Sequence, residues 1–171
     1  MKKPHHLSEK DSVVQNKDGS RYVIYPRGLN IVWGDDSRYW NLDKSSTEGI
    51  ATLIQVSWLD VSGVVDVEKG KKYRVTFEVK LKPDAFGWTG SPVLVMAKPG
   101  KRGKYVFSEI SLTNSQEYQS IPSSDPGQSQ VIVDVPLDST DNKLYFGLYE
   151  VWSGKWKGGL QIKKVKIDVI D

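Results

Sequence analysis

Apolar and polar residues alternate along residues 73–81. The apolar positions of this stretch are Tyr73, Val75, Phe77, Val79 and Leu81, and charged or hydroxyl-bearing residues separate them. Successive side chains of a strand point to opposite faces, so the pattern predicts a β-strand with one face in a core and the other in water. A second layer must cover that apolar face.

Short runs of the same kind recur along most of the chain. The further predicted strands are Tyr22–Tyr25, Leu29–Trp33, Thr52–Leu59, Val93–Ala97, Tyr105–Ile110, Val131–Val135, Leu144–Val151 and Leu160–Ile170. Turns are predicted between them at Lys69-Gly70, Pro99-Gly100, Pro126-Gly127 and Ser153-Gly154. The chain has 20 Val, 10 Ile and 6 Thr against 3 Ala, and β-branched side chains favour strands. We therefore predict an all-β protein, a jelly-roll-like antiparallel β-sandwich of two packed sheets with very little helix.

Two local irregularities interrupt this pattern. In the last strand, Leu160 and Ile162 share a parity that Val165 and Ile167 do not, which predicts a β-bulge at Lys163-Lys164. The sequence Ser45–Ala51 could form a single helical turn.

The chain is predicted to be one domain with an N-terminal arm. Residues 1–19 are polar and aperiodic, so we expect a flexible arm that makes few buried contacts, followed by a single domain over residues 20–171. The Ser-, Pro- and Gln-rich stretch Thr113–Gln130 predicts a long surface loop.

The amino-acid composition excludes several kinds of functional site. The absence of cysteine excludes disulfides, zinc–thiolate sites and thiol catalysis. The N-terminal sequence has no apolar run that could act as a signal segment or cross a membrane, so we expect a cytosolic protein without membrane insertion. A net charge of +3, spread along the chain, is weak support for any particular partner.

No arrangement of residues predicts catalysis. The two histidines, His5 and His6, are adjacent in the polar arm, where nothing rigid would hold a base or a metal ion. Carboxylates are frequent, but no spacing singles out a glycosidase pair. We expect no catalytic residues, no metal and no cofactor.

The unusual feature is the number of aromatic residues, 6 Trp and 8 Tyr. Five of the tryptophans are predicted at strand ends and turns: Trp33, Trp40, Trp88, Trp152 and Trp156. An indole ring offers a flat apolar face to the C–H face of a sugar ring, although each of these rings could equally cap the core. Trp58 shares parity with Ile54 and Val56 inside a predicted strand, which places it in the core.

Three strings carry a family resemblance: RGLNIVWGDDSRYW (27–40), VSWLDVSG (56–63) and EVWSGKWKGGLQIKKVKI (150–167). In order and spacing they resemble the phloem protein 2 family of plant lectins, and the short chain is most similar to its small cucurbit phloem-exudate lectins. The resemblance implies a non-catalytic β-sandwich lectin of phloem sap, with a role in defence or transport. Its implied ligands are N-acetylglucosamine oligomers, both chitooligosaccharides and N-glycan cores.

The resemblance also implies site residues. The family's two early tryptophans fall on Trp33 and Trp40 and one acidic residue falls on Glu150, while a second acidic position falls on Lys143. The segment EYQSIPSSDPG (117–127) departs from the family's Trp- and Glu-rich stretch. With the neighbours suggested by strand parity, the predicted sugar-binding residues are Trp33, Arg38, Tyr39, Trp40, Trp88, Glu150, Trp152, Lys155 and Trp156.

Alternatives remain open at this point. Weak single sites favour a homodimer, because two sites per assembly raise avidity. RNA binding is the main rival function, with Lys157, Lys163, Lys164 and Lys166 against phosphates. A structural role in defence filaments is a third possibility, without disulfide cross-links.

Overall fold

The computed structural model describes residues 4–123 and 128–170, which form two antiparallel sheets packed face to face. The strands are β1 (Val13–Gln15), β2 (Arg21–Ile24), β3 (Asn30–Ile31), β4 (Trp40–Leu42), β5 (Ala51–Leu53), β6 (Leu59–Asp66), β7 (Lys72–Phe86), β8 (Val93–Pro99), β9 (Val106–Ile110), β10 (Gln119–Ile121), β11 (Val131–Asp134), β12 (Lys143–Glu150) and β13 (Gly158–Ile170). Within the described residues, helix is limited to two short 3-10 turns, Lys10–Ser12 and Pro26–Gly28. The predicted all-β antiparallel sandwich is confirmed.

The two sheets differ in size. The five-stranded sheet has the order β3-β6-β12-β8-β9. In the eight-stranded sheet, β1-β2-β13-β5-β4 follow one another, and the long β7 pairs with β13, β10 and β11. The register between β7 and β13 shifts between Ile162 and Lys164, which confirms the predicted bulge at Lys163-Lys164.

The core lies between the inner faces of the two sheets. Along β7, buried and partly exposed residues alternate from Tyr73 to Leu81, as the sequence pattern predicted. Phe77 of β7 meets Phe146 of β12 edge to face, with ring centroids 6.3 Å apart. A Cβ atom on Gly63 of the neighbouring strand β6 would lie 2.5 Å from the Phe146 ring, so this close packing requires glycine there.

The single strand predicted over Thr52–Leu59 is wrong, because the chain changes sheets within it. Strand β5 ends in the eight-stranded sheet, and β6 begins at Leu59 in the five-stranded sheet. The connecting segment, residues 54–58, therefore does not alternate between core and solvent. Trp58 is 50% exposed, so its predicted place in the core is also wrong.

Three further predictions concern loops and turns. The helical turn considered at Ser45–Ala51 is not formed: residues 46–49 make a hydrogen-bonded turn, and Ala51 begins β5. The described residues of the stretch Thr113–Gln130 are mostly irregular but include β10, which pairs with β7. The predicted turn at Pro126-Gly127 lies outside the described residues.

The N-terminal segment makes more buried contacts than its sequence predicts. The backbone of His6 exchanges hydrogen bonds with Ile31 at 3.0 and 2.9 Å, and the His6 side chain is buried. The Ser12 hydroxyl donates to the Thr47 carbonyl at 2.6 Å, and β1 pairs with β2. Residues 4–15 are held on the domain by backbone pairing and by single buried polar side chains. Such contacts need no apolar periodicity in the sequence. The division into a flexible arm and one domain stays a prediction.

Removing this segment should therefore destabilise the domain. Deletion of residues 1–15 removes strand β1 and uncovers Ile31, which is 1% exposed. We expect the free energy of unfolding to fall by about 2 kcal/mol or more, since each net hydrogen bond contributes about 1 kcal/mol. Urea denaturation measures it, with Leu7→Ser as the control, because Leu7 is 65% exposed. Equal stability of the parent and the deletion variant would contradict the docking.

Candidate functional site

A buried ion pair closes the loop between β12 and β13. Glu150 is the last residue of β12, and Lys157 directly precedes β13. The Glu150 Oε2 and Lys157 Nζ atoms are 2.8 Å apart, and the two residues are only 2% and 0% exposed. We call the residues between them, 151–156, the tryptophan loop, because it carries Trp152 and Trp156.

Both charges of the pair are fully used in hydrogen bonds. The Lys157 ammonium also donates to the carbonyl oxygens of Ser57 and Lys155, each at 2.9 Å. The Glu150 carboxylate accepts from the backbone N–H and the hydroxyl of Ser153, each at 3.1 Å. The pair therefore fixes the tryptophan loop at two points and joins it to the segment 54–58.

The ion pair controls the titration of Glu150. Burial alone would raise the pKa of this carboxyl, but hydrogen bonds from Lys157 and Ser153 outweigh that effect and hold the pKa below its ordinary value. Glu150 is therefore a carboxylate at neutral pH.

Four aromatic rings line a small cleft beside the tryptophan loop. Trp33, Tyr39, Trp58 and Trp156, together with Val56 and Ser57, enclose about 190 Å³. The three indoles are 37%, 50% and 53% exposed in chain order. We call this the aromatic cleft, and such exposed indoles contribute little to the core.

Trp33 is held in an uncommon backbone conformation. Its φ of 65° lies in the left-handed region, which non-glycine residues seldom adopt. Its backbone N–H donates to Nδ1 of His5 at 2.9 Å, so that ring nitrogen is an acceptor. The His5 and Tyr39 rings pack against the indole at centroid distances of 5.0 and 5.6 Å. These contacts orient the Trp33 ring at the cleft.

Trp58 is fixed at its polar edge. Its indole N–H donates to the Asp60 carboxylate at 3.4 Å. Burial raises the pKa of Asp60, and the Trp58 hydrogen bond partly offsets that rise. Because the N–H group is already bonded, the ring meets the cleft mainly with apolar surface.

A second cleft lies beside the other tryptophan of the same loop. Ser91, Leu94, Glu109, Glu150 and Trp152 contribute to its wall, and its volume is about 350 Å³. Trp152 is 62% exposed. We call this the Ser91 cleft.

The predicted sugar-binding residues therefore divide into three groups. Trp33, Tyr39 and Trp156 line the aromatic cleft, and Arg38 pairs with Asp36 while its guanidinium lies 5.2 Å from the Tyr39 ring centroid. Glu150 and Trp152 line the Ser91 cleft.

Lys155 and two of the tryptophans do not line either cleft. Lys155 donates to the Thr89 carbonyl at 3.1 Å. Trp40 and Trp88 are in the core at 2% and 5% exposure, and the Trp88 indole donates to the Gly158 carbonyl at 2.9 Å. The structure thus brings neither of these two rings to the surface.

Sequence reasoning missed Trp58 as a member of the aromatic cleft. Strand parity placed it inside, but parity applies only within a continuous strand. The usable signal was the string VSWLDVSG (56–63), which contains Trp58 and was already part of the family resemblance.

The lysines proposed for RNA do not form a free basic surface. Lys157 is buried, and Lys164 and Lys166 lie 4.0 and 2.6 Å from the Glu78 carboxylate. Lys163 is exposed near the Tyr118 ring. Three of the four candidate cations therefore already have a carboxylate partner.

Residues 4–123 and 128–170 contain neither a metal-binding cluster nor a membrane-spanning helix. Nowhere in these ranges do three or more His, Asp or Glu side chains gather so that they could hold a metal ion. A helix long and apolar enough to span a membrane is also absent from these ranges.

Comparison with known proteins identifies relatives over nearly the whole chain. A family model described as phloem protein 2 matches residues 19–169. The Arabidopsis thaliana protein phloem protein 2-like A9 is 39% identical over 99% of this chain and 98% of its own length. A lectin of Luffa acutangula is 33% identical over 43% of this chain and 39% of that protein.

A solved structure shares the fold at low sequence identity. The GH26-CBM35 beta-(1,4)-mannanase of Podospora anserina matches with a TM-score of 0.53 and 10% identity, over 89% of this chain and 28% of the mannanase. At this identity the likeness concerns the β-sandwich alone.

The ion pair predicts a pH-dependent effect of Glu150→Gln. The variant leaves the Lys157 charge buried without its partner, which should lower the free energy of unfolding by about 3 kcal/mol at pH 7. In the parent, the pKa of Glu150 is lower in the folded state than its unfolded-state value of about 4.3, so the ionised carboxylate stabilises the folded state above that pH. This stabilisation is lost as the pH falls through the folded-state pKa. The difference between the parent and the variant should therefore shrink in acid.

Urea denaturation at pH 7 and pH 3 measures this difference. Glu109→Gln is the matched control, because Glu109 is exposed and has no ion-pair partner in the described part of the chain. A Glu150→Gln variant as stable as the parent at pH 7 would show that the ion pair is dispensable.

Proposed function

The chain belongs to the phloem protein 2 family, and from that premise we propose that it is a non-catalytic lectin. Its proposed ligands are N-acetylglucosamine oligomers, such as chitooligosaccharides and N-glycan cores, bound in the aromatic cleft. The observation that carries the proposal is the convergence of three partly exposed indoles and Tyr39 on one small cleft. The lectin of Luffa acutangula among the relatives supports the same class of function.

Stacking on indole rings suits this ligand class. A pyranose ring carries its C–H groups on its faces and its hydroxyls around its edge, so an apolar ring face can cover it while the edge stays hydrated. Trp58 and Trp156 are each about half exposed and offer such faces. A larger cavity of about 510 Å³, whose lining includes Lys80 and Gln161, has no aromatic ring in its wall.

Polar groups at the cleft could orient a sugar. The hydroxyls of Ser57 and Tyr39 make no hydrogen bond within residues 4–123 and 128–170 and can each donate and accept. The Asp60 carboxylate lies next to Trp58. We propose that these groups bind sugar hydroxyls or the acetamido group.

Glu150 acts differently in this proposal from its role in the family resemblance. Its carboxylate is 2% exposed and already accepts hydrogen bonds from Lys157 and Ser153. We propose that it positions the tryptophan loop and thereby places Trp156, rather than binding the sugar in the aromatic cleft.

The RNA-binding alternative has less support. Phosphate binding needs free cations, and of the four lysines considered only Lys163 has no carboxylate partner among the described residues. Stacking on neutral sugar needs no net charge. Sugar binding should therefore respond little to added salt, in contrast to phosphate binding.

The wider proposal concerns assembly and location. We propose that the protein acts in phloem sap, in defence or transport, as its family suggests. Weak single sites favour a homodimer, because two linked sites raise avidity without new contacts.

Removing a ring from the aromatic cleft should weaken sugar binding without unfolding the domain. We expect Trp58→Ala and Trp156→Ala each to lower chitotriose affinity by about 1–2 kcal/mol, roughly tenfold, through lost stacking. Tryptophan fluorescence titration or calorimetry measures the dissociation constant, with lactose as the control sugar. Phe107→Ala is the matched control, because Phe107 is 58% exposed and lies on β9 outside the cleft. Unchanged chitotriose affinity in folded Trp58→Ala and Trp156→Ala variants would contradict the proposal.

A further inference from the structure

The tryptophan loop serves two clefts. It contributes Trp156 to the aromatic cleft and Trp152 to the Ser91 cleft, and no residue of the described ranges lines both. The buried pair is common to the two: Lys157 bonds the Ser57 carbonyl beside the aromatic cleft, and Glu150 lines the Ser91 cleft. The Ser91 cleft is therefore a separate site that is held by the same interaction.

Ser91 has a buried hydroxyl without a partner. The residue is 2% exposed, and its Oγ forms no hydrogen bond within the described part of the chain. A buried hydroxyl in that state has lost its bonds to water and gained nothing in exchange, which makes it an exception among buried polar groups. The Ser91 Oγ atom is almost fully enclosed in the cleft wall, so a polar ligand supplies the missing bond once the wall at Ser91 shifts slightly to open it.

Two other groups at this cleft are also available. Trp152 is 62% exposed, so its ring can cover an apolar ligand surface. Glu109 is exposed and forms no ion pair within the described ranges, so its carboxylate can accept from hydroxyl or N–H donors. A flat ring, a carboxylate and a hydroxyl are a combination suited to a sugar unit.

The charges around the cleft favour an uncharged ligand. Lys157 neutralises Glu150. Glu109 remains as one negative charge. The Lys155 ammonium donates to the Thr89 carbonyl and lies close to Gly90 in the cleft wall, 3.5 Å from where a Cβ atom on that glycine would be. One free charge of each sign gives no net attraction for an ionic ligand.

We infer that the Ser91 cleft is a second carbohydrate-binding site, which takes an uncharged glycosyl unit through stacking on Trp152 and hydrogen bonds to Ser91 and Glu109. The inference rests on the proposed lectin function, because it assigns the same ligand class to a second place. A single chain would then hold two sugar units, one on each side of the shared ion pair.

The test is a chitotriose titration of the full chain followed by the indole N–H signals in NMR spectra. The parent, Trp58→Ala and Trp152→Ala are compared, with the buried Trp40 and Trp88 as internal controls. The Trp152 signal should shift in Trp58→Ala, and the Trp58 signal should shift in Trp152→Ala, because the sites are separate. Ser91→Ala should weaken the Trp152 response roughly 2- to 10-fold without lowering the melting temperature.

The outcomes separate this inference from the proposed function. A Trp152 signal that never shifts while Trp58 responds would overturn the second site and leave the aromatic cleft in place. A Trp152 shift that disappears in Trp58→Ala would also overturn it, since the response would then come from the aromatic cleft. A Trp152 shift without any Trp58 shift would support the Ser91 cleft and contradict the proposed aromatic cleft. An unchanged response in Ser91→Ala would overturn the assignment of Ser91.

Discussion

The buried pair of Glu150 and Lys157 is the constraint on which the proposed binding surface depends. The backbones of both residues are paired, Glu150 with Leu59 and Lys157 with Val56, and their side chains hold the loop between them. A buried pair of this kind adds little net stability, because removing two charges from water offsets much of their attraction. Its effect here is on conformation. It holds an irregular loop in one conformation, in which both tryptophans of the loop are exposed.

The sandwich forms the core, whereas the tryptophan loop carries side chains of the proposed binding site. The sheets bury apolar residues between them, with Phe77 and Phe146 at the centre, and they would do so for many different loops. The proposed binding residues lie mainly where the chain crosses between sheets at 54–58 and Lys157, at the end of the tryptophan loop, pairs with Val56. This division explains why a fold shared with a mannanase-linked module at 10% identity says nothing about ligand choice.

Sequence pattern predicted the parts of the structure in which one local rule holds over many residues. The strand over 73–81 and the bulge at Lys163-Lys164 followed from alternation alone. Trp58 was misplaced because the chain leaves one sheet before it and enters the other after it, and alternation has no meaning across such a break. Glu150 has the buried parity of its strand, but its burial could not be inferred, because its partner Lys157 is brought to it by the folded loop. Trp33 is partly exposed and Trp40 is buried, and the sequence had left open for each ring whether it stacks on a ligand or caps the core.

The central claim is that the ion pair orders the tryptophan loop independently of the sandwich. Amide hydrogen exchange in a Lys157→Met variant tests this claim most directly, because it reports local opening residue by residue. The account predicts that exchange at Ser153, whose N–H donates to Glu150, accelerates far more than exchange at Phe77 and Phe146, whose amides in the sheets lose only the protection that the general loss of stability removes. Unchanged exchange at Ser153, with the sandwich intact, would contradict it.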